Sequence, residues 1–152
     1  MATTAVDPVF VDTNILVYAN TATAPFHAEA QSALRDFAAS GAALGISRQI
    51  LREYLATLSR PQTFSQPVPA ATLIADVNRF QTQFQIAEDG PTVTANLLAL
   101  LASIPIGGKQ VHDANIVATM QAHGLRRLLT HNTSDFGRFV ALIQVEPPVA
   151  GP

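Results

Sequence analysis

Short apolar runs alternating with longer stretches of helical period constrain this chain more than any other feature. Val9–Asp12 (VFVD), Leu44–Ser47 (LGIS), Gln85–Ala87, Leu128–Thr130 and Leu142–Val145 are too short for helices and read as buried strands. Between them, apolar residues recur every three or four positions, as one face of a helix requires. The first two stripes are Phe26, Ala30, Ala33, Leu34 and Phe37, stopped by Gly41, and Ile50, Leu51, Tyr54, Leu55 and Leu58, stopped by Pro61. Gln62–Pro69 reads as a loop. Leu73, Ile74, Val77, Phe80 and Phe84 mark a third helix, and Val93, Leu97, Leu100, Leu101 and Ile104 a fourth. Val111, Ile116, Val117 and Met120 mark a fifth, with Gly124 as its stop, and Thr133–Phe139 reads as a short helical turn.

This alternation predicts an α/β fold of three α/β/α layers around a mainly parallel sheet of about five short strands. Strands that are apolar throughout fit a sheet covered by helices on both faces. The 152 residues suit one domain, 1–152, with flexible tails expected at 1–8 and 147–152. The absence of cysteine excludes disulfide scaffolds, thiol catalysis and Cys-based metal sites, and it fits a cytoplasmic protein. No apolar run approaches the ~20 residues that span a bilayer, and the N-terminus has no basic, then apolar, secretory pattern. A net charge of −2 argues against nucleic-acid binding through a broad basic patch. With only 13% charged residues, some apolar surface is expected to be covered by a partner or a second copy.

In parallel sheets, ligands sit beyond the carboxyl ends of the strands. Asp12 closes the first strand, Glu53 follows the second, Asp113 opens the fifth helix and Asp135 follows the fourth strand. Right-handed crossovers bring such positions toward one sheet edge. Each acid has an ordinary alternative. Asp12 could cap a turn with Thr13 and Asn14, and Glu53 could be a solvated helix residue. Asp113 could complement a helix dipole and Asp135 could cap its turn. Gathered together, four carboxylates repel one another unless a hard divalent cation, Mg²⁺ or Mn²⁺, neutralises them.

The segments VFVDTNILVYA (Val9–Ala19), SRQILREYLATLSRP (Ser47–Pro61), HDANIVATMQAHG (His112–Gly124) and LLTHNTSDF (Leu128–Phe136), in this order, resemble a PIN domain. They are most similar to the VapC-type toxins of bacterial toxin–antitoxin pairs, over nearly the whole chain. The resemblance implies a Mg²⁺-dependent endoribonuclease that leaves 5′-phosphate and 3′-hydroxyl ends. It assigns catalysis to Asp12, Glu53, Asp113 and Asp135. Asp12 and Asp113 would bind metal directly. Glu53 and Asp135 would act through water or hold a second ion, so the metal set is Asp12, Asp113 and Asp135. Thr13, Asn14, Ser47, Thr130 and Asn132 would line the site. Some PIN nucleases carry an acid where this chain has Asn132, so one held ion is expected. The resemblance also implies a homodimer and a VapB-like antitoxin covering a groove walled by Phe26–Phe37 and Ile50–Leu58.

An RNA substrate approaching these acids needs cations. Arg48, Arg52 and Lys109 are the expected phosphate contacts, with Arg126, Arg127 and Arg138 as further candidates. Single-stranded or looped RNA exposes its phosphates and bases best. His27, His112, His123 and His131 lack metal-ligand spacing, and Gly107-Gly108-Lys109 lacks that of a phosphate-binding loop. Tyr18 and Tyr54 fall on apolar stripes and are expected to pack. An aspartyl-phosphate phosphatase would need an acid where Asn14 stands, and a receiver domain an acidic pair that is absent. The surviving alternatives are a degenerate PIN-like module that only binds a partner, and a PIN nuclease without an antitoxin.

Overall fold

The computed structural model describes residues 5–149. It contains one five-stranded sheet, every pairing parallel, in the order β3-β2-β1-β4-β5. The strands are β1 (Val9–Val11), β2 (Leu44–Ser47), β3 (Gln85–Ala87), β4 (Arg127–Leu129) and β5 (Gln144–Glu146). The helices are α1 (Thr13–Ala19), α2 (His27–Ala39), α3 (Arg48–Leu58), α4 (Ala70–Gln83), α5 (Pro91–Ser103) and α6 (Gln110–Ala122). Thr133–Phe139 forms a 3₁₀ segment. The expected α/β class and parallel sheet are therefore present. No helix among the described residues is long and apolar enough to cross a membrane.

The chain lays β2 and β3 on one side of β1, then returns to add β4 and β5 on the other. That reversal is a switch point at the end of β1, where Asp12 lies. β1 is wholly buried, as a central strand should be. Its register aligns Val11 with Leu129, and the Asp12 amide extends the ladder by donating to the Leu129 carbonyl at 3.0 Å. Asp12 and Thr130 thus leave neighbouring strands side by side.

Three boundaries differ from the sequence reading, and one helix was missed. β1 ends at Val11, because Asp12 is the N-cap of α1. β4 is Arg127–Leu129 rather than Leu128–Thr130. β5 is Gln144–Glu146 rather than Leu142–Val145, because the Leu142 and Ile143 amides turn back to the Phe139 carbonyl at 2.8 and 3.1 Å. The missed helix is α1. Seven residues are marginal for an isolated helix. Here Ile15, Leu16 and Val17 are buried, and burial of each such side chain stabilises by roughly 1.5–3 kcal/mol. Tertiary packing therefore makes the helix that propensity alone would not. The tails expected at 1–8 and 147–152 fall outside the described residues for 1–4 and 150–152; 5–8 and 147–149 carry no regular structure. Several large apolar side chains are exposed, among them Ile74, Leu98 and Val140.

Candidate active site

Asp12 is only 6% exposed, although it is a carboxylate. Three donors hold it. The Thr13 amide donates to its Oδ1 at 2.8 Å, and the Thr130 hydroxyl and Asn14 Nδ2 donate to its Oδ2 at 2.7 and 3.1 Å. Asn14 Nδ2 also donates to the Thr130 hydroxyl at 3.2 Å, while Asn14 Oδ1 accepts from the His131 amide at 2.9 Å. The DTN triplet therefore starts a helix and stitches the ends of β1 and β4 together. Burial nonetheless dominates and pushes the Asp12 carboxyl up to about 6, with the Glu53 charge adding to the rise.

Glu53 reaches the site from the second turn of α3. Its Oε2 accepts from the Thr13 hydroxyl at 2.6 Å and its Oε1 from Gln49 Nε2 at 2.8 Å. Asp113 stands in the first turn of α6. Burial raises its carboxyl to about 6, and the negative charges of Asp12, Asp135 and Glu53 raise it further, against a lowering by Arg138. All four predicted acids therefore share one electrostatic neighbourhood. Asp135 is the outermost of them, exposed on the 3₁₀ segment.

Asp12, Glu53 and Asp113 open onto a groove of about 600 Å³, which Asp135 does not line. Asp12, Thr13, Asn14, Glu53, His112, Asp113 and Asn132 line one part, while Val17, Tyr18, Ala56 and Phe64 give it an apolar wall. Of the residues expected to line the site, Thr13, Asn14 and Asn132 do so. Thr130 is fully buried and acts on Asp12 from beneath. Ser47 does not reach the groove. It is fully buried and its hydroxyl caps α3, accepting from the Ile50 amide at 3.5 Å.

The cations are also redistributed. Lys109 lines the groove as expected, but Arg48 and Arg52 do not. Arg48 is held by Glu88 through two hydrogen bonds at 2.9 and 2.7 Å. Arg127 is paired with Glu146 and lies over the Phe37 ring. Arg60, which the sequence reading passed over, lines the groove with Thr57 and Gln62. Its signal was its place two turns beyond Arg52, just past the end of α3. Tyr18, expected to pack, both packs on Phe64 at 6.0 Å and forms part of the groove wall. His112 lines the groove, whereas half-buried His131 lies against Tyr18 and Phe26.

The donors are all hard oxygens, and the crowding of unneutralised carboxylates fits a divalent cation. Among the described residues no three histidine or acidic side chains stand close enough to enclose an ion unaided.

The PIN domain family model matches residues 9–141. A protein of Mycobacterium tuberculosis named ribonuclease VapC24 is 28% identical over 132 residues, covering 85% of this chain and 89% of the relative. A toxin–antitoxin complex from Klebsiella pneumoniae contains a chain of the same fold, with TM-score 0.67, 22% identity and coverage of 94% and 99%. Mycobacterium tuberculosis VapC20, described as a toxin that cleaves the sarcin–ricin loop, has TM-score 0.62 and 18% identity, covering 86% of this chain and 95% of that one.

Proposed function

This chain belongs to the PIN domain family, and from that premise we propose that it is a divalent-cation-dependent endoribonuclease acting as the toxin of a toxin–antitoxin pair. The observation that carries the reading is the buried Asp12 at the switch point, with its own charge and those of Asp135 and Glu53 close enough to raise the proton affinity of Asp113. The names of the relatives, a VapC ribonuclease and a toxin–antitoxin complex, support the same activity and the same kind of partner.

Asp12 and Asp113 would hold the cation, Mg²⁺ or Mn²⁺, and Asp135 would complete the metal set. When bound, the cation supplies positive charge that polarises a phosphate and acidifies the attacking water. Glu53, fixed by Thr13 and Gln49, presents a carboxylate whose orientation does not depend on substrate. Asn14 and Thr130 aim Asp12 and favour its ionised form by donating to it, against the effect of burial. Lys109 and Arg60 carry the charge that meets flanking phosphates, so the RNA spans the acids rather than resting on them. The substrate is unpaired or looped RNA, whose phosphates reach a groove of this kind. The whole chain works as one domain, in the cytoplasm, as a homodimer held by a VapB-like antitoxin.

The test is cleavage of a synthetic looped RNA with Mg²⁺, with EDTA and by Asp12→Asn. The reading expects fragments with 5′-phosphate and 3′-hydroxyl ends in the first reaction alone. Equal cleavage in all three would mark a contaminant, and no cleavage in any would leave a partner-binding PIN module.

A further inference from the structure

One buried polar side chain near the acids reaches beyond Glu53, which it helps to fix. Gln49 is 6% exposed and lies one helical turn before Glu53 on α3. Its Nε2 donates to Glu53 Oε1 at 2.8 Å and to the His112 carbonyl at 2.9 Å. Its Oε1 accepts from Asn115 Nδ2 at 2.9 Å, and that same amide donates to Asp89 Oδ2 at 3.1 Å. Only one orientation of the Gln49 amide works: turned over, its oxygen would face a carboxylate and a carbonyl.

The consequence is geometric. His112 immediately precedes Asp113, so one side chain grips the carboxylate on α3 and the backbone that carries the carboxylate on α6. Glu53 Oε2 is fixed independently by Thr13, which follows Asp12. An unbroken hydrogen-bonded path therefore runs from Asp12 through Thr13, Glu53 and Gln49 to the residue before Asp113. We infer that Gln49 is a positioning residue that sets the spacing of Glu53 and Asp113, and through it the affinity of the site for a divalent cation. Asn115 holds Gln49 in its working orientation. This rests on the nuclease reading above. It adds a polar clamp that neither touches substrate nor contributes a ligand.

Supporting groups around metal ligands are commonly worth about 10–100-fold in affinity or activity. Gln49→Met keeps length and packing while removing both ends of the clamp, and Asn115→Ala removes only its support. Mg²⁺ affinity would be measured by titration calorimetry on metal-free protein, beside thermal unfolding and RNA cleavage over a range of Mg²⁺ concentrations. The expectation for Gln49→Met is a dissociation constant at least about tenfold weaker, a parallel shift of the Mg²⁺ needed for half-maximal cleavage, and a smaller shift for Asn115→Ala. A merely structural Gln49 would lower the unfolding temperature and leave Mg²⁺ affinity unchanged, which overturns the inference. Should Gln49→Met not fold, an unchanged affinity in Asn115→Ala does so equally. Asp12→Asn separates the two levels: if it still cleaves, the nuclease reading has failed; if it is inactive while the clamp variants bind Mg²⁺ normally, only the clamp has.

Discussion

Thr13 shows how one residue serves packing and chemistry at once. Its amide is held by Asp12, which starts α1, and its hydroxyl donates to Glu53 at 2.6 Å. Thr13→Val keeps the shape and the helix start but leaves Glu53 Oε2 without that donor. We predict a loss of cleavage of about tenfold or more at limiting Mg²⁺, with the circular-dichroism spectrum unchanged; full activity in this variant would detach Glu53 from the site. The acids were legible from sequence because each follows a strand or opens a helix. The polar groups that hold them were less so. Thr13 and Asn14 lie beside Asp12 and could be named, whereas Gln49 and Asn115 act across 66 positions of sequence, a pairing that only packing reveals. The cations were least legible, since Arg48 and Arg60 look alike until Glu88 is seen to occupy one of them.

At the scale of elements, β2 and α3 meet at Ser47, which belongs to the strand and caps the helix. Because its hydroxyl serves the helix start and not the groove, Ser47→Ala is predicted to destabilise the fold by about 1 kcal/mol, read as a lower urea midpoint, with Mg²⁺ affinity retained. A variant of normal stability and impaired metal binding would return Ser47 to the site. The five longer helices were readable because each carries a stripe of apolar residues over several turns. α1 was not, because ILVYA is apolar on every side and its helical character comes from burial between neighbouring elements. The end strand β5 slipped for the opposite reason: Leu142 and Ile143 look like strand residues but are drawn into the turn after Phe139.

Across the whole molecule, stability and function pull in opposite directions at the acid cluster. Burial raises Asp12 and Asp113 from an ordinary 3.8 to about 6, so the folded protein binds protons more tightly than the unfolded chain. Their contribution favours folding most below pH 4 and is lost as the pH rises through 6. For Asp12 alone the difference corresponds to roughly 3 kcal/mol. Metal-free protein should therefore lose this contribution between pH 4 and 6, and Mg²⁺ should raise the unfolding temperature more at pH 7.5 than at pH 5. Equal protection at both values would show that these carboxylates do not meet the ion. The sheet order could be inferred only as a class from the strand and helix pattern. The switch point that makes Asp12 central depends on which side β4 joins, and no local signal encodes that.

We propose that Asp12 and Asp113, 101 positions apart by their numbering, close on a single divalent ion. Calorimetric titration of Mg²⁺ into metal-free protein at pH 7.5 addresses it directly, with Asp12→Asn and Asp113→Asn alongside the unaltered chain. One saturable binding event is expected in the unaltered protein, weakened by more than about tenfold in each folded variant. Identical binding in all three, or none in the unaltered protein, would contradict it.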